Sequence, residues 1–391
     1  MDSHRFLTEG YKKNTHCCAR NQKIMKEPKQ LDLYISFVKE CFRQETSDGE
    51  RWKGMDWEEF FLFTQEQAVA GYVFEHVKRY KRDAIGIPEE TLLNWFAYHD
   101  EIANRNKKVN QCMCEIVKDL SDRGLRSCIL KGQGNAMLYP TPLSRMPGDI
   151  DIWVDADRKR LVDFVKAIDD SAKEREKHIS FTVAEDIEVE VHDIPSTLRS
   201  PKYNRRLQDF FREYSDEQFS NVVNSDDFAI PICVPTAEFN VVYQLAHIMS
   251  HFFVEGIGLR QFIDYAYVLR SAGVKDDSWK HSVAERLEYL GMLKFARGVM
   301  WVLRECIGLD EELLYIETDE RIGRLIRTEI INGGNFGYHD ARYPFRKSGY
   351  IARGLTDIYR LLKLVPYFPN DALWKILRKF ENQKWKFYRF K

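Results

Sequence analysis

Residues 149–154 read DIDIWV, in which acidic and apolar side chains alternate with a period of two. That period is typical of a β-strand with one buried face, so Asp149 and Asp151 would share one face and the isoleucines the other. Two carboxylates this close repel each other unless water or a cation compensates their charge. The segment therefore predicts a strand that packs into a core on one side and carries a pair of cation ligands on the other.

A second acidic strand is predicted at residues 187–192, which read IEVEVH. Alternation places Glu188, Glu190 and His192 on one face, and residues 179–183 precede the strand as the other half of a hairpin. If the two acidic strands are neighbours, one glutamate joins the aspartate pair as a third ligand, and the spacing alone admits either. Because Mg²⁺ prefers oxygen ligands, three carboxylates can hold one or two such cations beside a triphosphate.

Phosphate-binding features lie upstream of both acidic strands. Lys131 and Gly132 stand where a short buried strand ends and a short helix begins. A helix N-terminus offers free N–H donors to an anion, glycine permits close backbone approach, and lysine adds a positive charge. Arg145 and Gly148 lie in the turn before the first acidic strand, where the arginine would reach bound phosphates and the glycine would keep the turn tight.

Apolar residues at spacings of three and four predict helices before about residue 121 and after residue 235. Strands and helices alternate between these regions, which predicts an α+β unit with one small mixed sheet covered by helices. We expect N- and C-terminal helical regions to flank that unit. The expected parts are a flexible arm (1–30), an N-terminal helical region (31–104), the mixed core (105–200), a helical domain (201–340) and a basic, aromatic-rich C-terminal segment (341–391).

The motifs around the acidic strands stand in a fixed order along the chain. They are Leu130-Lys131-Gly132, Arg145, Gly148-Asp149-Ile150-Asp151 and Glu190-Val191-His192. The helical region after them adds Pro235, Glu238, His247, His251, Gly258-Leu259-Arg260 and Asp264. Over roughly residues 125–270 this order resembles the uncharacterised nucleotidyltransferase family of the DNA polymerase β-like nucleotidyltransferase superfamily.

The resemblance implies a polymerase β-like nucleotidyltransferase core with Mg²⁺ or Mn²⁺ as cofactor and an NTP as substrate. It implies that Asp149, Asp151 and Glu190 are both the catalytic and the metal-binding residues, and its Glu-x-His strand favours Glu190 over Glu188. His192 would then support the ligands rather than act as a base. The nucleotide-binding residues implied are Lys131, Gly132, Arg145 and Gly148.

Two functions are compatible with these residues. The first is metal-dependent transfer of a nucleoside monophosphate from an NTP to an acceptor hydroxyl, with release of pyrophosphate. The acceptor would be a small molecule, a protein or a nucleic acid. The alternative is a catalytically inactive nucleotidyltransferase-fold binding module that senses nucleotide or holds a toxin–antitoxin-like protein partner. Turnover of a labelled NTP separates the two.

Charge is distributed unevenly along the chain, although 59 Lys and Arg nearly cancel 60 Asp and Glu. Residues 341–391 carry 13 basic and three acidic residues, an excess of +10, which leaves −11 for residues 1–340. The same segment carries 12 aromatic residues. Such a composition, above all at 371–391, suits single-stranded nucleic acid or an anionic surface, and it equally suits docking on the acidic body of the same chain.

The location of the protein is predicted from features that the sequence lacks. It contains no run of 18 apolar residues, so we expect no transmembrane segment. The start, MDSHRFLTEG, has no apolar region of the kind that a secretory signal needs. Eight scattered cysteines without a CxxC motif are typical of reduced thiols. We therefore expect a cytoplasmic protein.

Overall fold

The computed structural model describes residues 28–175, 177–337, 340, 342 and 350–378. Within them, helices surround a small mixed sheet, which confirms the α+β class. The helices are α1 Pro28–Arg43, α2 Trp57–Glu66, α3 Ala70–Val77, α4 Arg82–Ile85, α5 Glu89–Asp122, α6 Gln133–Ala136, α7 Arg158–Ile168, α8 Pro201–Glu213, α9 Ser215–Gln218, α10 Ala237–Val254, α11 Leu259–Ala272, α12 Asp277–Tyr289, α13 Leu293–Val302, α14 Glu320–Gly333 and α15 Tyr350–Leu364. Residues 369–378 are also helical.

Five strands form the main sheet, in the order β1-β2-β5-β4-β3. They are β1 Ser127–Ile129, β2 Ile150–Val154, β3 Lys173–Glu174, β4 His178–Val183 and β5 Ile187–His192, and a separate two-stranded ribbon joins β6 Val222–Val223 to β7 Ile232–Cys233. Only β2 and β5 pair in parallel, and the other neighbours are antiparallel. The two predicted acidic strands are therefore neighbours, whereas β3, β6 and β7 are two-residue strands that the sequence pattern does not reveal.

Local sequence explains where the helices beside the sheet begin. Asp157 is the N-cap of α7, and its carboxylate accepts a hydrogen bond from the backbone N–H of Arg160 at 2.9 Å. Asp56 caps α2 in the same way through the N–H of Glu59. Each cap satisfies one of the N–H groups that a helix start leaves unpaired, as expected for aspartate at this position.

The apolar face of the sheet packs against α7 and the C-terminal half of α5. This core contains Ile129, Ile150, Ile152, Val154, Val189 and Val191 from the strands, Met113 and Leu120 from α5, and Leu161 and Phe164 from α7. The opposite, polar face is covered by the helical region. There the Trp153 ring stacks on Phe239 of α10, with centroids 6.0 Å apart. One sheet face thus builds a core, and the other lies beneath α10.

The first part of the basic C-terminal segment packs on the body of the protein. Leu361, Leu364 and Ala372 belong to the large helical core, and the Phe368 ring lies 5.5 Å from that of Phe253. Residues 1–27, most of 338–349 and 379–391 lie outside the described residues. They include most of the expected flexible arm, whose residues 28–30 instead begin α1, and the last 13 residues of the basic C-terminal segment. No helix in the described part of the chain combines the length and apolarity needed to cross a membrane.

Candidate active site

The pairing of β2 with β5 brings three carboxylates together. Asp151 and Glu190 are register partners on these adjacent parallel strands, and Asp149 immediately precedes β2. One carboxylate oxygen from each residue lies within 4.8 Å of the others. Asp151 is 2% exposed and Asp149 is 32% exposed, so the cluster runs from a buried end to a solvent-accessible one. The three predicted metal ligands therefore converge.

Lys131 lies against the same cluster. Its ammonium nitrogen is 2.9 Å from Asp151 Oδ2 and 3.9 Å from Asp149 Oδ2. The side chain reaches them because the chain leaves β1 beside β2, where the N–H of Leu130 donates to the carbonyl of Asp151 at 3.1 Å. Burial disfavours the charged amine, but the surrounding carboxylates prevail and raise the pKa of Lys131 above its ordinary value.

His192 is the second group that compensates the carboxylates. Its Nε2 lies 3.0 Å from Asp151 Oδ1 and 3.4 Å from Glu190 Oε2. Burial opposes ionisation of Asp151, yet Lys131 and the hydrogen bond from His192 lower its pKa below the ordinary value. Burial likewise opposes ionisation of Glu190, and the hydrogen bond from His192 lowers its pKa. Both carboxylates are therefore ionised at neutral pH, and His192 supports them.

A further histidine, not identified from the sequence pattern, lies at this site. His178 is the register partner of His192, and its Nε2 is 3.3 Å from Glu190 Oε1. Desolvation by burial lowers the pKa of His178 to about 4. The signal was available in the sequence, because a hairpin centred on residue 185 pairs position 178 with position 192.

The two predicted glycines differ in what their positions require. Gly132 has a φ of 60° and precedes α6, and a Cβ added there would lie 3.4 Å from the carbonyl oxygen of Asp149. This left-handed conformation lets the backbone after Lys131 lie against the backbone that leads into β2. Gly148 does not have a positive φ, and a Cβ there would lie at ordinary van der Waals distance, 3.7 Å, from Nη1 of Arg260.

Arg145 turns toward the helical region rather than toward the carboxylate cluster. Its Nε and Nη2 donate to the two carboxylate oxygens of Asp264 at 2.8 and 2.7 Å, and the hydroxyl of Tyr139 donates to Asp264 at 2.7 Å. Arg145 is 5% exposed. Arg260, one turn before Asp264 on α11, donates to the carbonyls of Met146 and Pro147. Together these contacts fix the loop that leads into β2.

His247, His251 and Glu188, which the sequence motifs include or leave open as ligands, lie outside the two possible metal-ligand groups of the described residues. His247 and His251 of α10 pack ring against ring, with centroids 4.4 Å apart. Burial lowers the pKa of His247 well below its ordinary value, and nearby Lys131 adds to the effect. Glu188 is half-buried on β5, one alternation before Glu190. Glu190 is thus the glutamate that meets the aspartate pair.

One of three comparisons with known proteins identifies the family of this chain. The sequence model of a family described as "Uncharacterised nucleotidyltransferase" matches residues 53–308. No curated protein matches the chain. Among solved structures, the chain is similar to an antigenic nucleotidyltransferase-like protein from Paracoccidioides brasiliensis, with 10% identity and a TM-score of 0.33 over 56% of this chain and 97% of that one. That likeness is too loose to carry an argument, whereas the family match spans more than half of the sequence. The chain belongs to the uncharacterised nucleotidyltransferase family.

Proposed function

We propose that the protein is a metal-dependent nucleotidyltransferase that moves a nucleoside monophosphate from an NTP to an acceptor hydroxyl and releases pyrophosphate. The observation that carries the proposal is the convergence of Asp149, Asp151 and Glu190, whose carboxylate oxygens lie within 4.8 Å of one another beside Lys131. Membership of a nucleotidyltransferase family supplies the reaction class.

The donor set fits the cation that the family implies. It consists of carboxylate oxygens alone, which suit Mg²⁺ or Mn²⁺, and Asp149 gives it access to solvent. Asp149, Asp151 and Glu190 would hold the ion, which when bound neutralises charge on the triphosphate and orients the reacting groups.

The protein's own groups would bind the triphosphate and accept the proton of the acceptor hydroxyl. The Lys131 ammonium and the backbone at Gly132 and Gly148 would contact the triphosphate. The acceptor oxygen attacks the α-phosphorus, the bond to the β-phosphate bridging oxygen breaks, and pyrophosphate leaves with that electron pair. Glu190, which is ionised and partly exposed, is the group that would take the proton of the acceptor hydroxyl.

Arg145 differs from the other proposed nucleotide contacts because its guanidinium already forms a buried ion pair. Its Nε and Nη2 are engaged by Asp264 at 2.8 and 2.7 Å, and its Nη1 donates to the carbonyl of Met146 at 3.3 Å. A contact with a triphosphate therefore requires the guanidinium to leave a buried ion pair. We propose that Arg145 acts mainly by fixing the loop before Asp149, and that any direct contact with nucleotide is secondary.

The direct test is incubation of the protein with each of the four labelled NTPs and either Mg²⁺ or Mn²⁺. The matched control is the double variant Asp149→Asn/Asp151→Asn. Label transfer by the wild type alone, to itself or to an added acceptor pool, supports the proposal. Equal NTP binding by both proteins without label transfer would overturn it.

One observation favours the second candidate, a catalytically inactive binding module. Lys131 forms an ion pair with Asp151 at 2.9 Å, so an internal ammonium occupies a place beside the carboxylates that a cation would otherwise take. A protein of this kind would bind nucleotide without turnover and with little dependence on divalent ions. Equilibrium binding of a non-hydrolysable NTP analogue in EDTA and in Mg²⁺ separates the two functions, because only the enzyme needs the ion.

A further inference from the structure

A second group of metal-binding side chains adjoins the carboxylate cluster. His178, Glu190 and His192 each offer a ligand atom, and the three atoms lie within 4.8 Å of one another. The Nε2 atoms of the two histidines lie 3.3 and 3.4 Å from different oxygens of Glu190. Glu190 therefore belongs to both groups, and His192 lies close enough to contact Asp151 as well, at 3.0 Å.

The three ligands are held by regular backbone pairing rather than by a loop. His178 on β4 and His192 on β5 are antiparallel register partners, and Glu190 lies two residues before His192, on the same face. The rings have centroids 5.2 Å apart. Side chains on paired strands keep their separation without further ordering, so this group is organised before any ion arrives.

The donor chemistry differs from that of the aspartate pair. Two imidazole nitrogens and one carboxylate form a set that suits borderline transition ions, whereas Mg²⁺ prefers oxygen. The Nδ1 atoms of His178 and His192 are buried and have no hydrogen-bond partner among the described residues. The ligand atoms would be the two Nε2 atoms, because these face Glu190, and the Nδ1 atoms would then carry the ring protons.

We propose that His178, Glu190 and His192 form a second divalent-cation site that takes Zn²⁺ in preference to Mg²⁺, adjacent to the all-oxygen cluster and sharing Glu190 with it. The proposal rests on the proposed function only through the shared Glu190, because the two histidines play no part in the assignment of Asp149 and Asp151. An ion at this site would hold Glu190 in place from the side of the two histidines.

The test uses the full-length, metal-free protein with its accessible thiols alkylated, so that cysteine does not contribute ligands. Pulsed electron paramagnetic resonance of bound Cu²⁺, which shares the preference of Zn²⁺ for imidazole, reports directly whether imidazole nitrogen coordinates the ion. Calorimetric titration with Zn²⁺ is run on the wild type, on His178→Asn and on the control His281→Asn. His281 is a suitable control because it is exposed on α12 and contacts only Glu285 among the acidic residues of its helix.

We expect nitrogen coupling in the wild type, and a loss of Zn²⁺ affinity of roughly 100-fold or more in His178→Asn but not in His281→Asn. Absence of nitrogen coupling in the wild type would overturn the proposal, and that measurement needs no variant to fold. Unchanged Zn²⁺ affinity in a His178→Asn protein with wild-type circular dichroism would also overturn it.

The variant Asp149→Asn keeps this test independent of the proposed function. It removes a ligand from the all-oxygen cluster and leaves all three ligands of the histidine site. Nitrogen coupling that persists in Asp149→Asn, together with weakened Mg²⁺ binding, assigns the two sites separately. If the wild type shows nitrogen coupling but transfers no label, the second metal site is supported and only the proposed activity is contradicted.

Discussion

The ammonium of Lys131 lies 2.9 Å from Asp151 Oδ2, so one lysine compensates the most buried carboxylate of the candidate site. The pair is almost completely removed from solvent on the Asp151 side, and His192 contacts the other oxygen of the same carboxylate at 3.0 Å. The acidic cluster is therefore stable without a metal ion, and any cation that enters meets a site that is already partly neutralised.

Replacing Lys131 with methionine should make the fold depend on divalent ions. The variant leaves Asp151 buried beside two other carboxylates, and loss of one partner of such a pair costs about 3–5 kcal/mol. We expect a lower melting temperature in EDTA, with Mg²⁺ restoring more stability in Lys131→Met than in the wild type. Differential scanning calorimetry in both buffers measures this, and equal melting temperatures in EDTA would contradict it.

Variants of the two aspartates should differ in their effect on stability although both lose activity. Removing one metal ligand forfeits several kcal/mol of charge stabilisation, which corresponds to roughly 100-fold or more in turnover. We expect that loss of label transfer in both Asp149→Asn and Asp151→Asn. Only Asp151→Asn should also unfold more easily, because Asp151 is paired with Lys131 and His192, whereas Asp149 is one-third exposed. Full activity in either variant would remove that residue from the proposed site.

The Arg145–Asp264 pair should behave as a structural unit. Arg145→Met leaves the Asp264 carboxylate buried without its bidentate partner, at a cost of about 3–5 kcal/mol in the free energy of unfolding. The double variant Arg145→Met/Asp264→Leu should recover most of that loss, because the carboxylate that Arg145→Met leaves without its bidentate partner is then also removed. Urea titrations measure both. A stable Arg145→Met protein that had lost NTP affinity would instead show that the guanidinium serves the nucleotide.

The two glycines beside the site provide a matched pair of substitutions. Gly132→Ala forces a side chain onto a residue with a φ of 60°, which costs roughly 1–2 kcal/mol, although its Cβ would meet the backbone oxygen of Asp149 at contact distance, 3.4 Å. Gly148→Ala adds a methyl group at ordinary contact distance and should change stability by less than about 0.5 kcal/mol. Chemical denaturation ranks the two variants, and equal losses would contradict the assigned difference.

Asp371 gives the protein a measurable pH dependence. Desolvation by burial raises its pKa to about 6, so the folded state binds a proton more tightly than the unfolded chain does. The stabilising effect of that proton is present at low pH and is lost as the pH rises through 6. Asp371→Asn should therefore raise the melting temperature at pH 8, by an amount equivalent to about 3 kcal/mol, and should have little effect near pH 4. A benefit that is the same at both pH values would contradict this.

The strands and the carboxylate cluster were predictable from the sequence because their pattern is local. Alternation over DIDIWV and IEVEVH fixes which residues share a face, and β2 and β5 match the predicted strands to within one residue. The same reasoning extends to His178, since hairpin pairing follows from the position of the turn. What alternation could not supply is that β2 and β5 pair in parallel, which depends on how the whole sheet is ordered.

The features that the sequence did not reveal depend on distant partners. Arg145 is 119 residues from Asp264, and the charge of the arginine alone does not indicate whether it meets a phosphate or a carboxylate. Apolar spacing predicts helix in the region before about residue 121, but it does not show that the chain leaves the helical conformation near Ala68, which has a φ of 56°. The reason is tertiary, because the buried Gln67 side chain donates to the carbonyl of Ile330 and accepts from the N–H of Leu259.

The register between β2 and β5 makes the candidate site sensitive to the insertion of single residues in either strand. Asp151 and Glu190 lie on the same face because side chains alternate between the two faces along each strand. One residue inserted within either strand turns every side chain beyond it to the other face. An insertion in β5 before Glu190 would direct Glu190 into the apolar core and bring a neighbouring valine to the aspartates, and an insertion in β2 before Asp151 would turn Asp151 away from Glu190. Insertions and deletions should therefore be tolerated in the loops between the surrounding helices. Between residues 149 and 154 and between 187 and 192, only insertions or deletions of two residues should keep the site.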